Sequence, residues 1–172
     1  YERFAIWSVM TDIATGKEFC FANTHIDNKN LDADAATDYY LMKTQVGNMV
    51  NHIQARSSST DSSNNVLRPI IIVGDFNANP GKSPITTMTG RQYSDTYTEA
   101  VKKEYPSELA GPYARATMHD SGTPNWAAYD YIFARGGSFT VPLHKICHPK
   151  YNNVELSDHM AVIVDMQYTF TE

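Results

Sequence analysis

The sequence predicts a layered α/β domain, in which strands are connected by helical crossovers. The first observation is a run of β-branched residues from Ile70 to Val73, typical of a central strand buried on both faces. The second is an upstream stretch, ending near Arg56, whose apolar residues recur at the steps of an amphipathic helix. With 172 residues, 42% of them hydrophobic, the chain is predicted to form one domain over residues 1–172.

The segment before the central strand is predicted to contain two strands and one helix. Residues 4–10 and 18–26 have partial apolar alternation and flank a hairpin turn at 15–17, as in a half-covered sheet. Either Asp32 or Asp34 can cap the helix that follows. Its apolar stripe, which should face the sheet, consists of Tyr39, Met42, Val46, Met49 and Ile53.

The elements after this helix are predicted from turn residues and apolar runs. They are a Ser/Asn-rich loop at 57–65, a helix at 83–90 that starts at Ser83-Pro84 and ends at Gly90, a short helix at 95–103, a loop at 122–125 that continues to Trp126, and strands at 129–133, 139–147 and 160–170. No internal repeat or domain linker interrupts them.

Composition restricts the function less than it restricts the fold. The formal net charge of −5 argues against a broad basic surface for nucleic acid, although clustered acidic metal ligands would give the same sign. No apolar run has the length of a membrane span. Cys20 and Cys147 lie in strand-like segments and are predicted to be buried thiols rather than a disulfide. Because the chain starts at Tyr1, we expect that residues precede it in the natural protein.

Polar residues follow the central strand directly. Asp75 and Asn77 are two positions apart, so both side chains should point to one side of the strand and reach one bound group. The crevice beyond a strand's carboxyl end is where α/β sheets usually bind ligands. An Asx turn at the strand exit is the simpler alternative for these two residues.

Similar short polar motifs occur at several predicted strand ends. They are residues 23–27 (NTHID), 74–77 (GDFN), 129–132 (YDYI) and 157–159 (SDH). In this order, they resemble the endonuclease/exonuclease/phosphatase superfamily of Mg²⁺-dependent phosphoesterases, which includes DNase I-like nucleases, sphingomyelinases and inositol phosphatases. Residues 3–7 (RFAIW) and 117–119 (TMH) are also similar to segments of that superfamily.

The chemistry of these residues agrees with the resemblance. Hydrolysis of a phosphate ester needs an activated water and stabilisation of charge on the phosphoryl oxygens. His159 can act as the general base, with Asp130 holding its other ring nitrogen. Asp158 is predicted as an oxygen ligand for Mg²⁺, with Mn²⁺ as the alternative ion. The resemblance implies the same assignments.

The remaining candidate residues serve charge stabilisation and metal binding. Protonated His25 and the Asn77 amide are predicted to hold the phosphoryl oxygens. Asp75 is left for the metal or for the leaving group, and we count it as both a catalytic and a metal residue. The resemblance again implies the same roles for these residues.

Each of these residues also has a purely structural interpretation. His25 and Asp130 could be ordinary surface residues of strands, and Asp158-His159 could be a turn. A structural role is the expectation for His119, and packing or surface positions are expected for His52, His144 and His148. Trp126 could stack on a substrate or cover the core, and both interpretations stay open.

The resemblance also implies what this chain lacks. The DNase I-like fold is a four-layer sandwich, of which this chain supplies mainly the C-terminal half. Its N-terminal portion carries an Asn and a metal-binding Glu, and Glu2 lies in no matching motif. We therefore expect weak Mg²⁺ binding and little activity from the chain alone. We also expect an apolar sheet face that is covered by the missing N-terminal segment or by self-association.

The leading hypothesis is a Mg²⁺-dependent phosphoester hydrolase that acts by direct attack of water. No covalent-nucleophile motif such as Gly-x-Ser-x-Gly is present. Because Lys and Arg do not cluster, a small or lipid-like phosphoester fits as well as DNA, and a nuclease is the alternative. A non-catalytic binding module is the alternative from another class, whereas a zinc site lacks the necessary Cys/His spacing.

Overall fold

The computed structural model describes residues 3–28, 40–57, 68–109, 111–120, 123–152 and 154–169. In chain order, the elements are β1 (Ala5–Thr11), β2 (Glu18–His25), α1 (Tyr40–Ser57), β3 (Ile70–Asp75), α2 (Ser83–Gly90), β4 (Ser94–Asp95), α3 (Thr96–Glu99), β5 (Lys102–Glu104), β6 (Met118–Asp120), β7 (Thr123–Ala127), β8 (Asp130–Arg135), β9 (Ser138–Cys147), β10 (Lys150–Tyr151), β11 (Val154–Glu155) and β12 (Ala161–Thr169). Short 3₁₀ turns lie at Ser107–Leu109 and Gly111–Tyr113. The domain is mixed α/β, as predicted.

The main sheet has five strands in the order β1-β2-β3-β8-β4. β1 and β2 form the predicted hairpin, β2 runs parallel to β3, and β8 is antiparallel to both β3 and β4. The parallel β2–β3 pair requires a crossover, which α1 supplies. The strands therefore bring residues that are far apart in sequence to one end of the sheet.

Helices α1 and α2 cover one face of this sheet and enclose the main core. The predicted stripe of α1 is confirmed, since Met42, Val46 and Ile53 are buried and Met49 packs against them. Helix α2 also has the predicted bounds, although its N-cap is Lys82 rather than Ser83. The predicted caps Asp32 and Asp34, stripe residue Tyr39, residue Glu2 and the loop over 58–65 lie outside the described residues.

The other face of the main sheet is only partly covered. In β3, Ile70 and Ile72 are buried against the helices, whereas Ile71 and Val73 are half-buried. The prediction that this strand is buried on both faces is therefore wrong for the described chain. A continuous apolar run cannot show which elements cover the two faces of a strand, because those elements are distant in sequence.

The same uncovered face continues onto β1, where Ile6 and Met10 pair with Asn23 and Phe19 of β2. Phe4 and Ile6 are exposed by 71% and 78%, and Met10 by 43%. These side chains form an apolar surface at one edge of the sheet. A hydrophobic surface of this kind is usually covered by protein or ligand.

A second sheet has three strands in the order β12-β9-β5. The burial of β12 alternates along its whole length, as predicted for a half-covered strand. The short helix predicted over 95–103 is confirmed only in its first turn: α3 ends at Glu99, and residues 102–104 form β5 instead. The side chain of Asp95 caps α3, and Ala100 is extended because the chain turns to pair with β9.

The predicted loop over 122–125 is wrong as well. Residues 123–127 form β7, which pairs with β6 in a two-stranded ribbon. Proline is tolerated there because each strand of such a ribbon has an edge that needs no ladder hydrogen bond. Cys20 and Cys147 are both free thiols; Cys20 is fully buried as expected, whereas Cys147 is only half-buried. No helix within the described ranges is both long and apolar enough to cross a bilayer.

His144 is the most deeply buried titratable side chain outside the main core, with 4% of it exposed. Its ring packs edge-on against Tyr97, with ring centroids 5.2 Å apart. Its Nδ1 is buried and has no hydrogen-bond partner among the described residues. Burial lowers the pKa of His144 from 6.5 to about 4, and the positive charges of Arg115 and Lys103 act in the same direction, against Asp95. The folded protein therefore holds His144 neutral.

Gly74 allows β2 and β3 to approach closely. Its φ of +143° is rarely adopted by other residues, and a Cβ there would lie 1.9 Å from the carbonyl oxygen of Thr24. The two residues are register partners in the parallel ladder. Because His25 and Asp75 follow them directly, Gly74 also permits the alignment of these two side chains.

We expect acid to destabilise the protein through His144. Below its ordinary pKa the unfolded chain takes up a proton that the folded chain refuses, so stability is lost as the pH falls from about 6.5 towards about 4. Between pH 7 and pH 5 this amounts to about 2 kcal/mol. Urea unfolding at both pH values should show a smaller decrease for His144→Gln than for the wild type. The exposed His52→Gln variant is the control, and equal pH dependence in all three proteins would contradict the prediction.

We also expect Gly74→Ala to lower the free energy of unfolding by more than about 3 kcal/mol, because the new Cβ overlaps the Thr24 carbonyl and the backbone is strained. Gly81→Ala separates these causes, since Gly81 has a φ of +84° and open space around it. It should lower the free energy by only about 1–2 kcal/mol. Urea unfolding measures both, and similar losses would show that the close approach is unimportant.

Candidate active site

Three of the predicted site residues lie side by side across the main sheet. His25 at the end of β2 is the register partner of Asp75 at the end of β3, and Asp75 is in turn the partner of Asp130 at the start of β8. Register partners in neighbouring strands point to the same face. Since Thr24 and Tyr131 point into the helix-covered core, these three residues occupy the opposite, less covered face.

Asp75 is at the centre of this row. Its Oδ2 lies 3.3 Å from Nε2 of His25 and 3.9 Å from Nε2 of His159. Its Oδ1 accepts a 2.7 Å hydrogen bond from the backbone N–H of Asn77. The carboxylate is largely buried, with 13% of the side chain exposed, whereas 55% of the His25 side chain is exposed. The Asp75 carboxylate therefore faces the imidazoles of His25 and His159 at the end of the main sheet.

His159 reaches the site from the segment just before β12. Its Nδ1 lies 2.7 Å from Oδ2 of Asp130, which is the contact expected for a carboxylate that orients an imidazole. An isolated β-bridge between His159 and Met118 holds this segment against the β6–β7 ribbon. The structure thus brings together His25, Asp75, Asp130 and His159, four residues from four separate segments.

Asn77 lies beside this group, but not for the predicted reason. The strand ends at Asp75, and Asn77 has a φ of +47°, so the two side chains do not simply alternate along one strand. The bond from the Asn77 N–H to Asp75 is an Asx turn, the simpler alternative. The Asn77 amide Nδ2 donates a 2.8 Å hydrogen bond to the carbonyl of Ile26, which ties β3 to the chain beyond β2.

Asp158 does not join the group. Its side chain is exposed, and the Ser157 hydroxyl lies 3.4 Å from its Oδ1. Among the described residues, the side chains that could share one metal ion are Asp75, Asp130 and His159, whose ligand atoms lie within 4.8 Å of one another. Two carboxylates and an imidazole are a reasonable donor set for a divalent cation. The residues present therefore fit a metal, with Asp75 as the donor common to the predicted and observed sets.

Burial and neighbouring charges change the acidity of two site residues. Burial raises the pKa of Asp75, and the negative charge of Asp130 raises it further, against the Asn77 hydrogen bond and the two histidines. For His159, burial alone would lower the pKa, but the hydrogen bond and charge of Asp130, with the charges of Asp75 and Asp158, raise it above its ordinary value. The site therefore has excess negative charge that a cation or proton would relieve.

The other residues singled out from the sequence have mainly structural positions. Trp126 is half-buried and packs against a small second core, formed by Leu109, Ala116, Ile146 and Met160, so it covers the core. His52 is exposed on α1 and His144 is buried, as expected. The two ring nitrogens of His148 lie 3.4 Å from Glu108 and from Glu155. The side chain of His119 lies outside the described part of the chain.

Two residues that support the site were not predicted. The Oδ1 of Asn79 accepts a 3.0 Å hydrogen bond from the N–H of Ala128, and the hydroxyl of Thr117 accepts hydrogen bonds from Tyr129 and Asp130. The sequence Asn79-Pro80-Gly81 indicates only a turn. Thr117 belongs to the segment 117–119 that resembles the superfamily, but this resemblance does not indicate which residues its hydroxyl contacts.

Comparisons with known proteins give one matching family and several similar structures. A sequence profile described as the Endonuclease/Exonuclease/phosphatase family matches residues 50–159. Similar solved structures include an endonuclease/exonuclease/phosphatase from Bacteroides vulgatus, with 22% identity, a TM-score of 0.73, and coverage of 97% of this chain and 56% of that chain. The mannosyl-6-phosphatase of Bacteroides thetaiotaomicron has 19% identity and a TM-score of 0.71, with coverage of 96% of this chain and 57% of that chain.

A third similar structure is D. rerio TDP2 complexed with a single-strand DNA product, with 12% identity, a TM-score of 0.64, and coverage of 96% of this chain and 62% of that chain. No curated protein sequence matches the chain. At these identities the structures show the fold, which is DNase I-like, and this chain spans little more than half of each. The profile match covers most of the sequence, and the chain belongs to the Endonuclease/Exonuclease/phosphatase family.

Proposed function

We propose that this chain carries the catalytic residues of a Mg²⁺-dependent phosphoester hydrolase that acts by direct attack of water. The observation that carries this proposal is the 2.7 Å contact between Asp130 and His159 beside the buried carboxylate of Asp75. A carboxylate–imidazole pair at the carboxyl end of a central strand is suited to removing a proton from water.

His159 is the general base of this proposal. With Nδ1–H donated to Asp130, the ring presents Nε2 as the nitrogen that accepts the proton of the attacking water. Asp130 fixes the tautomer and stabilises the imidazolium that forms. The raised pKa of His159 makes it a stronger base, at the cost of a smaller neutral fraction at low pH.

His25 and Asn77 stabilise the charge that develops on the phosphoryl oxygens. The ring of His25 is exposed beside Asp75, so an N–H of the ring can reach a bound phosphate. The Asn77 amide gives one N–H to Ile26 and has a second to donate. Both groups are fixed by the ends of β2 and β3, which keeps them aligned before the substrate binds.

Asp75 is the proposed ligand of Mg²⁺ within the group, with Mn²⁺ as the alternative ion. Asp158, the second ligand predicted from the sequence, stays a prediction because its side chain is exposed outside the group. The buried, unusually basic carboxylate of Asp75 supports this role, and Asp158 adds a second negative charge close to His159. When bound, a divalent cation would neutralise charge on the phosphate oxygens. Because these carboxylates are few for a Mg²⁺ site, we expect weak binding and little activity from this chain alone.

The proposed substrate is a phosphoester, and its class is left broad. The net charge of −5 favours a small or lipid-like phosphoester at least as much as a nucleic acid. Among the similar structures, one is titled a mannosyl-6-phosphatase and another holds a single-strand DNA product, so both a phosphatase and a nuclease are compatible with this fold. A nuclease is therefore the second candidate function.

We further propose that additional polypeptide of the same domain covers the apolar face of the main sheet. Phe4, Ile6 and Met10 are exposed on this face, which also carries the site residues at its end. In the described part of the second sheet, β12 is an edge strand to which further strands could pair. The greater length of the similar structures supports a segment that extends this sheet, and such a segment could add metal ligands.

We expect His159→Gln to lower the rate of hydrolysis by a factor of about 100 or more, because the general base is lost. The measurement is hydrolysis of bis-p-nitrophenyl phosphate with Mg²⁺, by the protein encoded by the complete reading frame that contains this chain. Asp130→Asn should also lower the rate, whereas the exposed His52→Gln variant should not. A chelator should abolish wild-type turnover. Equal rates for wild type and His159→Gln would overturn the proposal and favour a binding module.

We expect this chain by itself to self-associate through the apolar face. Ile6→Lys should suppress association in sedimentation velocity, because it puts a charge on that face, whereas Thr11→Lys, on the same strand but the other face, should not. A protein that contains the proposed additional segment should be monomeric. A monodisperse monomer of this chain would contradict the exposed face. If that protein also associates, and Ile6→Lys abolishes the association, a second copy of the protein covers the apolar face.

A further inference from the structure

We infer that Thr117 is a positioning residue for the Asp130–His159 pair, an inference that rests on the proposed function of that pair. Thr117 is buried, with 2% exposed, and its hydroxyl accepts hydrogen bonds from two consecutive backbone N–H groups. The bond from Tyr129 is 3.1 Å long and the bond from Asp130 is 2.9 Å long. One side-chain oxygen thus holds the backbone of the carboxylate partner.

The backbone of Thr117 holds the other partner. Its carbonyl accepts a hydrogen bond of 2.6 Å from the N–H of Met160, and its own N–H donates to the carbonyl of Ala127 at 2.8 Å. The next residue, Met118, forms the isolated bridge with His159. Both members of the pair are therefore attached to a single position in the chain, one through the side chain and the other through the main chain.

The hydroxyl is the chemically necessary part of this arrangement. The carbonyl of Tyr129 accepts a hydrogen bond from the N–H of Phe76, which attaches the chain before β8 to the end of β3. On the other side, the N–H groups of Tyr129 and Asp130 donate to Thr117. A hydroxyl oxygen has two lone pairs and can accept both bonds, and serine shares this capacity. Valine has almost the shape of threonine but accepts neither bond.

Small displacements of Asp130 are important because its carboxylate meets Nδ1 of His159 at 2.7 Å. Catalytic groups lose effectiveness when their alignment changes by about an ångström. Without the Thr117 hydroxyl, the two partly buried N–H groups of Tyr129 and Asp130 lose this acceptor, and the start of β8 is expected to shift. The expected defect is a weakened Asp130–His159 hydrogen bond in a protein that is otherwise folded.

The test compares Thr117→Val with Thr117→Ser and with the control Thr96→Val. Thr96 is also fully buried, and its hydroxyl donates a 2.9 Å hydrogen bond to Ile132 of the same strand, but it does not touch the pair. The readout is the downfield imidazole N–H signal of His159 in the proton NMR spectrum, assigned by its loss in His159→Gln. Unfolding in urea is measured for every variant, and Thr117→Ala replaces Thr117→Val if the latter does not fold.

We expect the His159 N–H signal to move upfield or disappear in Thr117→Val, and to persist in Thr117→Ser and Thr96→Val. An unchanged signal in folded Thr117→Val or Thr117→Ala would overturn the inference, and so would loss of the signal in Thr96→Val, since the effect would then be general destabilisation. In the longer protein, Thr117→Val should lower kcat about tenfold with KM nearly unchanged. Because the NMR signal needs no turnover, an inactive wild type would overturn the proposed function and leave this result interpretable.

Discussion

The site depends on the alignment of three strand ends. β2, β3 and β8 place His25, Asp75 and Asp130 in one row, and a shift of one residue in any of these strands would turn a side chain to the other face. Gly74 makes the parallel half of this alignment possible, because only a residue without Cβ can lie so close to Thr24. The arrangement of the candidate site therefore depends first on backbone pairing between strands and only then on the side chains themselves.

This alignment concentrates negative charge where the sheet is least covered by the described chain. Burial and the neighbouring Asp130 raise the pKa of Asp75, while the histidines on either side compensate part of its charge. A group of this kind is energetically unfavourable unless a cation or proton is close. The concentrated negative charge opposes stability, but it also favours binding of a divalent cation. Such a loss of stability in exchange for binding is typical of functional sites.

The location of the site also connects it to the uncovered face. His25, Asp75 and Asp130 point away from α1 and α2, towards the side on which Phe4 and Ile6 are exposed. Similar structures of the same fold are longer, and this chain spans 56% of the one from Bacteroides vulgatus. Polypeptide that covers the apolar face would therefore lie beside Asp130 and His159. In the proposed enzyme, the same segment would complete both the core and the site.

Most of the strands and both long helices were predictable because each depends on local periodicity. The stripe of α1, with Met42 and Ile53 facing the sheet, and the bounds of α2 follow from residues close in sequence. Local patterns failed at residues 102–104 and 123–127, which became strands because β9 and β6 offered partners. The prediction that Ile71 is buried failed for a similar reason, because the elements that cover a sheet face are distant in sequence.

By itself, the sequence determined the family, the strand-end positions of the polar motifs and the choice of His159 with Asp130 as a pair. Only the tertiary structure decided that Asp158 stays exposed, that Asn77 bonds to Ile26, that Trp126 covers a core and that Thr117 holds the pair together. The physical reason is that the residue types determine which chemistry each side chain can perform. The distances between side chains of different segments depend instead on strand register and on packing across the whole fold.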